Sequence, residues 1–253
     1  MATYTIDESQ RKAAKIVGFT YLFTMAAVVF GQFGVHARLI VENNVAETAR
    51  NILAHEGLFR ISIACDLIYC AGAVVILAAL YVILKAVDQN LALFAAIGRL
   101  VYALVWVIMT INLFDVLRVF IGADDLRGLE ADRLQSLARL YIDARGSWDA
   151  SRMYSSLGAA YYIGLLFYGL GSTVFSYLWF KSHYIPRALA AWGVLSSLWA
   201  AICAFAFVIF PNFVKVVTLA WFDNPMVLFE IVIAGWLLLK GLRKAGTTEP
   251  DKL

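Results

Sequence analysis

Residues 61–84 read ISIACDLIYCAGAVVILAALYVIL, and this stretch decides the class of fold. It holds a single charged side chain, Asp66. A helix needs about 20 apolar residues to cross the roughly 30 Å of hydrocarbon in a bilayer, and this run is longer than that. The stretch therefore indicates a membrane-spanning helix.

Five more apolar runs flank this one, and all six together predict spans at 16–35, 61–84, 91–120, 153–180, 188–210 and 226–239. Hydrophobic residues make up 62% of the 253-residue chain and charged residues only 15%, against roughly 25% charged in soluble domains. We predict an all-α polytopic bundle of six transmembrane helices, organised as one domain over residues 1–253. For the last helix we expect Asp223 or Asn224 as the cap, with Pro225 in the first turn.

The regions outside and within the spans carry further patterns. Residues 122–150 contain an amphipathic helical pattern, which predicts a segment lying at the membrane surface between the third and fourth spans. The first run is longer than the apolar region of a signal peptide, so we expect an uncleaved helix. The fourth span is rich in small residues such as Gly164, Gly169 and Gly171, which favours close packing inside the bundle over a dimer contact.

Orientation follows from the basic residues. An even number of spans places both termini on one side, and that side holds Lys85, Lys181, Arg187 and Lys240 in short connectors and tails. The positive-inside rule acts most strongly on short connectors. We therefore predict a cell-membrane protein with both termini in the cytoplasm.

Several functions find no support in the sequence. The net charge of +3 is too small to favour nucleic-acid binding. Zinc-protease, nucleophile-elbow and phosphate-loop motifs do not occur, so no catalytic residue, cofactor or metal is predicted. His36, His55, Asp66, Asp115 and Glu230 are conceivable metal ligands, but no two histidines have ligand spacing on one helix.

Most of the chain also resembles a family of bacterial integral membrane proteins known as domain of unknown function 4386. The residues that carry the resemblance are LYVILK at 80–85, LQSLARLYIDAR at 134–145, GLLFYGLG at 164–171, KSHYIPR at 181–187, AWG at 191–193 and EIVIAGWLLLKG at 230–241. The resemblance implies a shared helical membrane fold. It implies no activity.

Two ionisable residues lie deep inside the predicted spans. From the helical rise, Glu230 lies about 15 Å from Lys240, and Arg99 lies about 12 Å from Leu91. Both distances are measured from the side of the termini, so the two charges lie at nearly the same depth. We therefore predict an ion pair between Glu230 and Arg99 near the midplane. Three interpretations stay open: a pair that only fixes helix register, an arginine that extends to the near interface, and a site in a cavity.

A second polar tier lies towards the opposite side. It comprises Asp66 together with Asn112, Asp115 and Arg118, which share one helix face. One interpretation is a wet helix end whose charges are locally neutralised. The other is a polar vestibule in which the two aspartates face Arg60, Arg118 or Arg152.

Three hypotheses for function follow, in this order. The first is binding or transport of a small amphiphile or ion through a polar cavity, with Glu230 and Arg99 at the floor and Asp66 nearer the mouth. The second is a non-catalytic scaffold or regulator. The third is a membrane-embedded enzyme acting on lipid, which leaves enzymatic activity undecided. Membrane lipids, and with them a small amphiphilic ligand, are the expected partners; the oligomeric state is not indicated.

Overall fold

The computed structural model describes residues 6–41, 44–121, 156–210, 213, 216–217 and 219–243. Within them the chain forms seven helices and no strand. In chain order they are α1 (Glu8–Leu39), α2 (Val45–Ala54), α3 (Glu56–Leu84), α4 (Gln89–Ile121), α5 (Ser156–Ser182), α6 (Arg187–Ile209) and α7 (Leu219–Leu239).

Six of these helices, all except α2, are long and apolar enough to cross a membrane. The predicted all-α polytopic fold is therefore confirmed, and the chain is a membrane protein. Many large apolar side chains on the outside of the bundle are exposed, among them Phe19, Phe94 and Leu195. Such a surface suits lipid, which accepts apolar side chains that water would not. The amphipathic segment predicted at 122–150 lies outside the described residues.

The ends of two helices differ from the prediction. Helix α1 begins at Glu8 and passes through a π-helical stretch, Phe30–His36, before it ends. Helix α7 begins at Leu219, so Pro225 lies inside the helix and the predicted cap at Asp223 or Asn224 is wrong. The turn before the proline is held by Phe222, which is buried and stacks edge-on against Phe207 at 5.1 Å. A membrane helix tolerates an internal proline when its neighbours compensate.

The first helix starts with a capping box just outside the span. The Asp7 carboxylate accepts a hydrogen bond from the Gln10 amide at 2.7 Å, while the Gln10 side chain bonds back to the Asp7 amide at 3.0 Å. The bond from the Gln10 amide, followed by one from the Ser9 hydroxyl, lowers the pKa of Asp7 below its ordinary value. The cap therefore stays charged at neutral pH and favours the helix N-terminus.

The six long helices form a closed ring of neighbours. Helix α1 packs on α3, α3 on α4, α4 on α5, α5 on α6, α6 on α7, and α7 returns to α1. The short α2 lies against α3 and α4 at the end of the bundle away from the termini. This arrangement brings α4 and α7 to the same interior even though they are far apart in sequence.

Glycines let the helices of the ring approach closely. A Cβ added at Gly169 of α5 would lie 2.8 Å from the backbone nitrogen of Ala201 on α6. One added at Gly171 would lie 2.7 Å from the carbonyl oxygen of Ala95 on α4. The small residues of α5 thus pack inside the bundle, as predicted for this helix.

Candidate ligand cavity

Arg99 of α4 and Glu230 of α7 meet inside the bundle. The Arg99 Nη2 lies 3.2 Å from the Glu230 Oε1, and both side chains are 9% exposed. The predicted ion pair is therefore confirmed. Arg99 does not extend to the near interface, because its guanidinium is engaged at this pair.

Two tyrosines complete the surroundings of the pair. Arg99 Nη1 donates a hydrogen bond to the Tyr21 hydroxyl at 2.6 Å, and the Tyr168 hydroxyl donates one to Glu230 Oε1. The guanidinium carbon also lies 4.6 Å from the centre of the Tyr168 ring and 5.6 Å from that of Tyr21. The cluster joins α1, α4, α5 and α7. A charge at membrane depth needs such partners, because the hydrocarbon supplies none.

A cavity of about 380 Å³ begins beside this cluster. Every helix of the ring except α6 contributes to its wall. The lining residues are Met25, Val28, Val29, Gln32, Phe33, Tyr69, Tyr102, Trp106, Met109, Tyr161, Leu165, Tyr168, Asp223, Asn224, Met226, Val227 and Glu230. The lining residues of α1 belong to its second half, and those of α7 lie between its start and its middle. The cavity therefore lies in the half of the bundle away from the termini.

One wall of the cavity is a continuous row of aromatic rings. Tyr69 and Trp106 have ring centres 4.9 Å apart, Trp106 and Tyr102 5.8 Å, and Tyr102 and Tyr168 4.7 Å. Tyr161 extends the row, 6.1 Å from Trp106. Tyr69 and Tyr102 also lie within hydrogen-bonding distance, with their hydroxyl oxygens 3.5 Å apart. These contacts hold the rings in place along the cavity.

The facing wall carries two carboxylates. Asp223 and Glu230 both line the cavity from α7. They are two helical turns apart, or about 10 Å along the axis. Sequence reasoning placed Asp223 at a helix cap and missed this role. The seven-residue spacing puts both acids on one face, but only if the helix continues through Pro225.

The other residues predicted for the site are elsewhere. The cavity lining includes Glu230 but not Arg99, which lies behind it, and not Asp66, Asn112, Asp115 or Arg118. Asp66 is buried on α3, Asn112 and Asp115 are half-buried on α4, and Arg118 is exposed.

The structure describes the contacts of two groups near the predicted vestibule, Arg60 and His36. Arg60, one of three arginines expected to face an aspartate, bonds Glu56 one turn earlier at 2.6 Å. His36 Nε2 lies 2.9 Å from the Ser62 hydroxyl and its Nδ1 lies 3.3 Å from Gln32 Oε1. Arg152 lies outside the described residues. Arg60 and His36 are thus engaged by partners on the same helix or on the adjacent one.

Metal ligands do not gather in the described part of the chain. No group of three or more His, Cys, Asp or Glu side chains there could hold an ion. The three cysteines, Cys65, Cys70 and Cys203, are buried and none of them is in a disulfide. The chemistry that the cavity offers therefore comes from aromatic rings, two carboxylates and two side-chain amides.

Comparison with known proteins gives a family and no activity. No curated protein and no solved structure is significantly similar to the chain. A family profile described as a domain of unknown function, DUF4386, matches residues 16–241, which include every residue of the Arg99–Glu230 cluster and of the cavity. The chain belongs to the DUF4386 family of proteins.

Proposed function

We propose that this protein binds a small amphiphilic molecule inside the membrane, in the cavity that ends at Glu230. The observation that carries the proposal is the cavity itself, about 380 Å³ in volume, with a carboxylate fixed at its inner end. Ligand pockets for small molecules have about this size and are mostly apolar with a few well-placed polar groups. This lining fits that description.

The half of the bundle nearer the termini is closed by packed side chains, which favours a cavity that opens only on the other side. Ala14 and Val17 of α1 are fully buried there against Ile83 and Leu84 of α3. The side-chain nitrogen of Gln10, Nε2, closes the same end by donating a hydrogen bond to the Ile83 carbonyl at 2.8 Å. A ligand would therefore reach Glu230 from the half away from the termini. Transport across the bilayer would require the Arg99–Glu230 pair to separate.

Filling the cavity should abolish binding of a neutral amphiphile. N-phenylnaphthylamine fluoresces in apolar surroundings and would accept energy from Trp106 in the cavity wall. We expect saturable binding to the full-length protein in nanodiscs and at least a tenfold loss in Val28→Trp, because an indole at this lining position occupies the space. Val208→Trp is the matched control, because Val208 faces outward from α6.

The same titration defines failure of the proposal. Equal binding to both tryptophan variants and the wild type would place the probe in lipid or on the protein surface rather than in the cavity. A saturable component that disappears only in Val28→Trp would support it.

We further propose that the protein lies in the cell membrane with both termini in the cytoplasm. Lys85, Lys181, Arg187 and Lys240 all lie at or next to helix ends on the side of the termini, as the positive-inside rule favours. A fluorescent protein fused to the C-terminus should then fluoresce, and alkaline phosphatase at the same place should be inactive. An active phosphatase fusion would reverse the orientation and put the cavity in the inner half of the membrane.

A further inference from the structure

We propose that the cavity selects lipophilic organic cations: apolar molecules that carry one positive ammonium or phosphonium centre. The inference rests on the proposed binding function and adds the class of ligand. In this scheme Asp223 is the counter-ion, and the aromatic row of Tyr69, Trp106, Tyr102, Tyr168 and Tyr161 receives the cation.

The charges around the cavity favour a cation. None of the described residues that line it is a lysine, an arginine or a histidine, whereas two are acidic. Arg99 neutralises Glu230, and its own guanidinium is covered by the rings of Tyr21 and Tyr168. No hydrogen bond or ion pair joins Asp223 to any other described residue. Within the described part of the chain the Asp223 carboxylate is thus unpaired, and a cationic ligand would supply its counter-ion.

The aromatic row suits the same ligand. The face of an aromatic ring carries negative electrostatic potential and attracts a cation within about 6 Å of the ring centre. Five rings on α3, α4 and α5 and two carboxylates on α7 line one cavity, and the Tyr168 hydroxyl bonds directly to Glu230. A bulky organic cation would contact both walls and would lose little by leaving water, whereas an anion would be repelled by both.

The shape of the bundle gives such a ligand a route from the lipid. Near the termini, α1 and α7 touch so closely that a Cβ at Gly18 would lie 2.7 Å from the Ala234 carbonyl oxygen. Farther along, both helices line the cavity, and its lining residues Val29 and Phe33 on α1 are 45% and 62% exposed. Asn224, which lines the cavity from α7, is also exposed. A lipophilic cation concentrated in the outer part of the bilayer would enter between these two helices.

The test compares two ions of the same shape and opposite charge. Tetraphenylphosphonium and tetraphenylborate are each titrated against full-length protein in nanodiscs of neutral lipid, with N-phenylnaphthylamine as the neutral reference. We expect tetraphenylphosphonium to bind at least tenfold more tightly than tetraphenylborate, through a component that Val28→Trp removes. Binding of the borate as tight as that of the phosphonium would overturn the inference.

Variants locate the selectivity within the cavity. Asp223→Asn keeps the shape and removes the charge, and should weaken phosphonium binding about tenfold while N-phenylnaphthylamine binding stays unchanged. Asp115→Asn, on α4 outside the cavity, should change neither. Tyr161→Leu should weaken phosphonium binding about threefold or more, whereas Tyr161→Phe, which keeps the ring, should not. Phosphonium binding that is unchanged in Asp223→Asn would contradict the assignment of the counter-ion.

The outcomes separate the two proposals. If none of the three probes shows a saturable component that depends on Val28, both the binding function and its cation selectivity fail. If the neutral probe or the borate binds in the cavity as tightly as the phosphonium, the binding function stands and the selectivity alone fails. Titration of protein-free nanodiscs gives the binding of each ion to lipid, and its subtraction leaves the wild-type comparison valid even if a variant does not fold.

Discussion

Arg99→Met should lower the free energy of unfolding by about 3–5 kcal/mol, the largest loss that we expect from any single substitution in this protein. The change leaves Glu230 as a buried carboxylate without its cation, and neutral hydroxyls such as that of Tyr168 do not replace the lost charge. The cost is high because hydrocarbon and packed side chains cannot solvate the remaining charge. Unfolding by sodium dodecyl sulfate in mixed micelles, followed by circular dichroism, measures the loss.

The double variant Arg99→Met, Glu230→Met distinguishes the cost of leaving one charge unpaired from the cost of losing the whole ion pair. Replacement of a whole buried ion pair by apolar residues is often close to neutral, whereas removal of one partner is not. We expect the double variant to recover more than half of the loss; recovery is incomplete because the hydroxyls of Tyr21 and Tyr168 lose their partners. Additive losses in the two single variants would show that the charges do not interact.

A surface pair provides the matched control. Lys12 and Glu8 form an ion pair of 2.7 Å one turn apart on α1, and both side chains are largely exposed. Water and salt screen such a pair, so Lys12→Met should leave unfolding unchanged. A loss in this control as large as that in Arg99→Met would mean that the unfolding measurement does not report on buried charge.

Gly169→Ala should destabilise the protein by about 1–3 kcal/mol, although it adds only one methyl group. The new Cβ would lie 2.8 Å from both the nitrogen and the Cβ of Ala201 and 2.9 Å from its Cα. These atoms belong to the backbone of α6 or are attached directly to it. The clash can be relieved only if α5 and α6 move apart. Contacts along the whole interface between these helices would then weaken.

Gly235→Ala on α7 is the control for this substitution. Nothing lies within 4 Å of the Cβ that it would add, and alanine is a better helix former than glycine. We expect this variant to be unchanged or slightly more stable by the same unfolding measurement. If both glycine variants lost stability equally, the close approach of α5 and α6 would not be the cause.

The two carboxylates of α7 show how far sequence reasoning reaches in this fold. Glu230 was found from its depth, because an acid in the middle of an apolar run must have a partner there. Asp223 was not found, because it precedes Pro225 and a proline commonly marks the first turn of a helix. Only the structure shows that the helix begins at Leu219 and continues through the proline. That continuation brings both acids to one face.

The residues of the predicted polar tier do not line the cavity, for a related reason. The depth of a side chain along a membrane helix follows from its residue number. The neighbour towards which the side chain points depends on how the helix is rotated in the bundle. Asp66, Asp115 and Arg118 all lie towards the end of the bundle away from the termini, yet none of them lines the cavity. The aromatic wall, by contrast, joins rings from α3, α4 and α5, and their meeting depends on the order of helices around the ring.

The sequence by itself determined the membrane class, the six spans, the family resemblance and the depth match of Arg99 with Glu230. All of these depend on apolar run length, on local residue patterns or on the fixed rise of a helix, which need no knowledge of distant contacts. The tertiary structure alone decided the cavity, the role of Asp223 and the glycine contacts. Those features depend on how helices rotate and pack against one another, and many rotations satisfy the same apolar pattern when lipid accepts any apolar face.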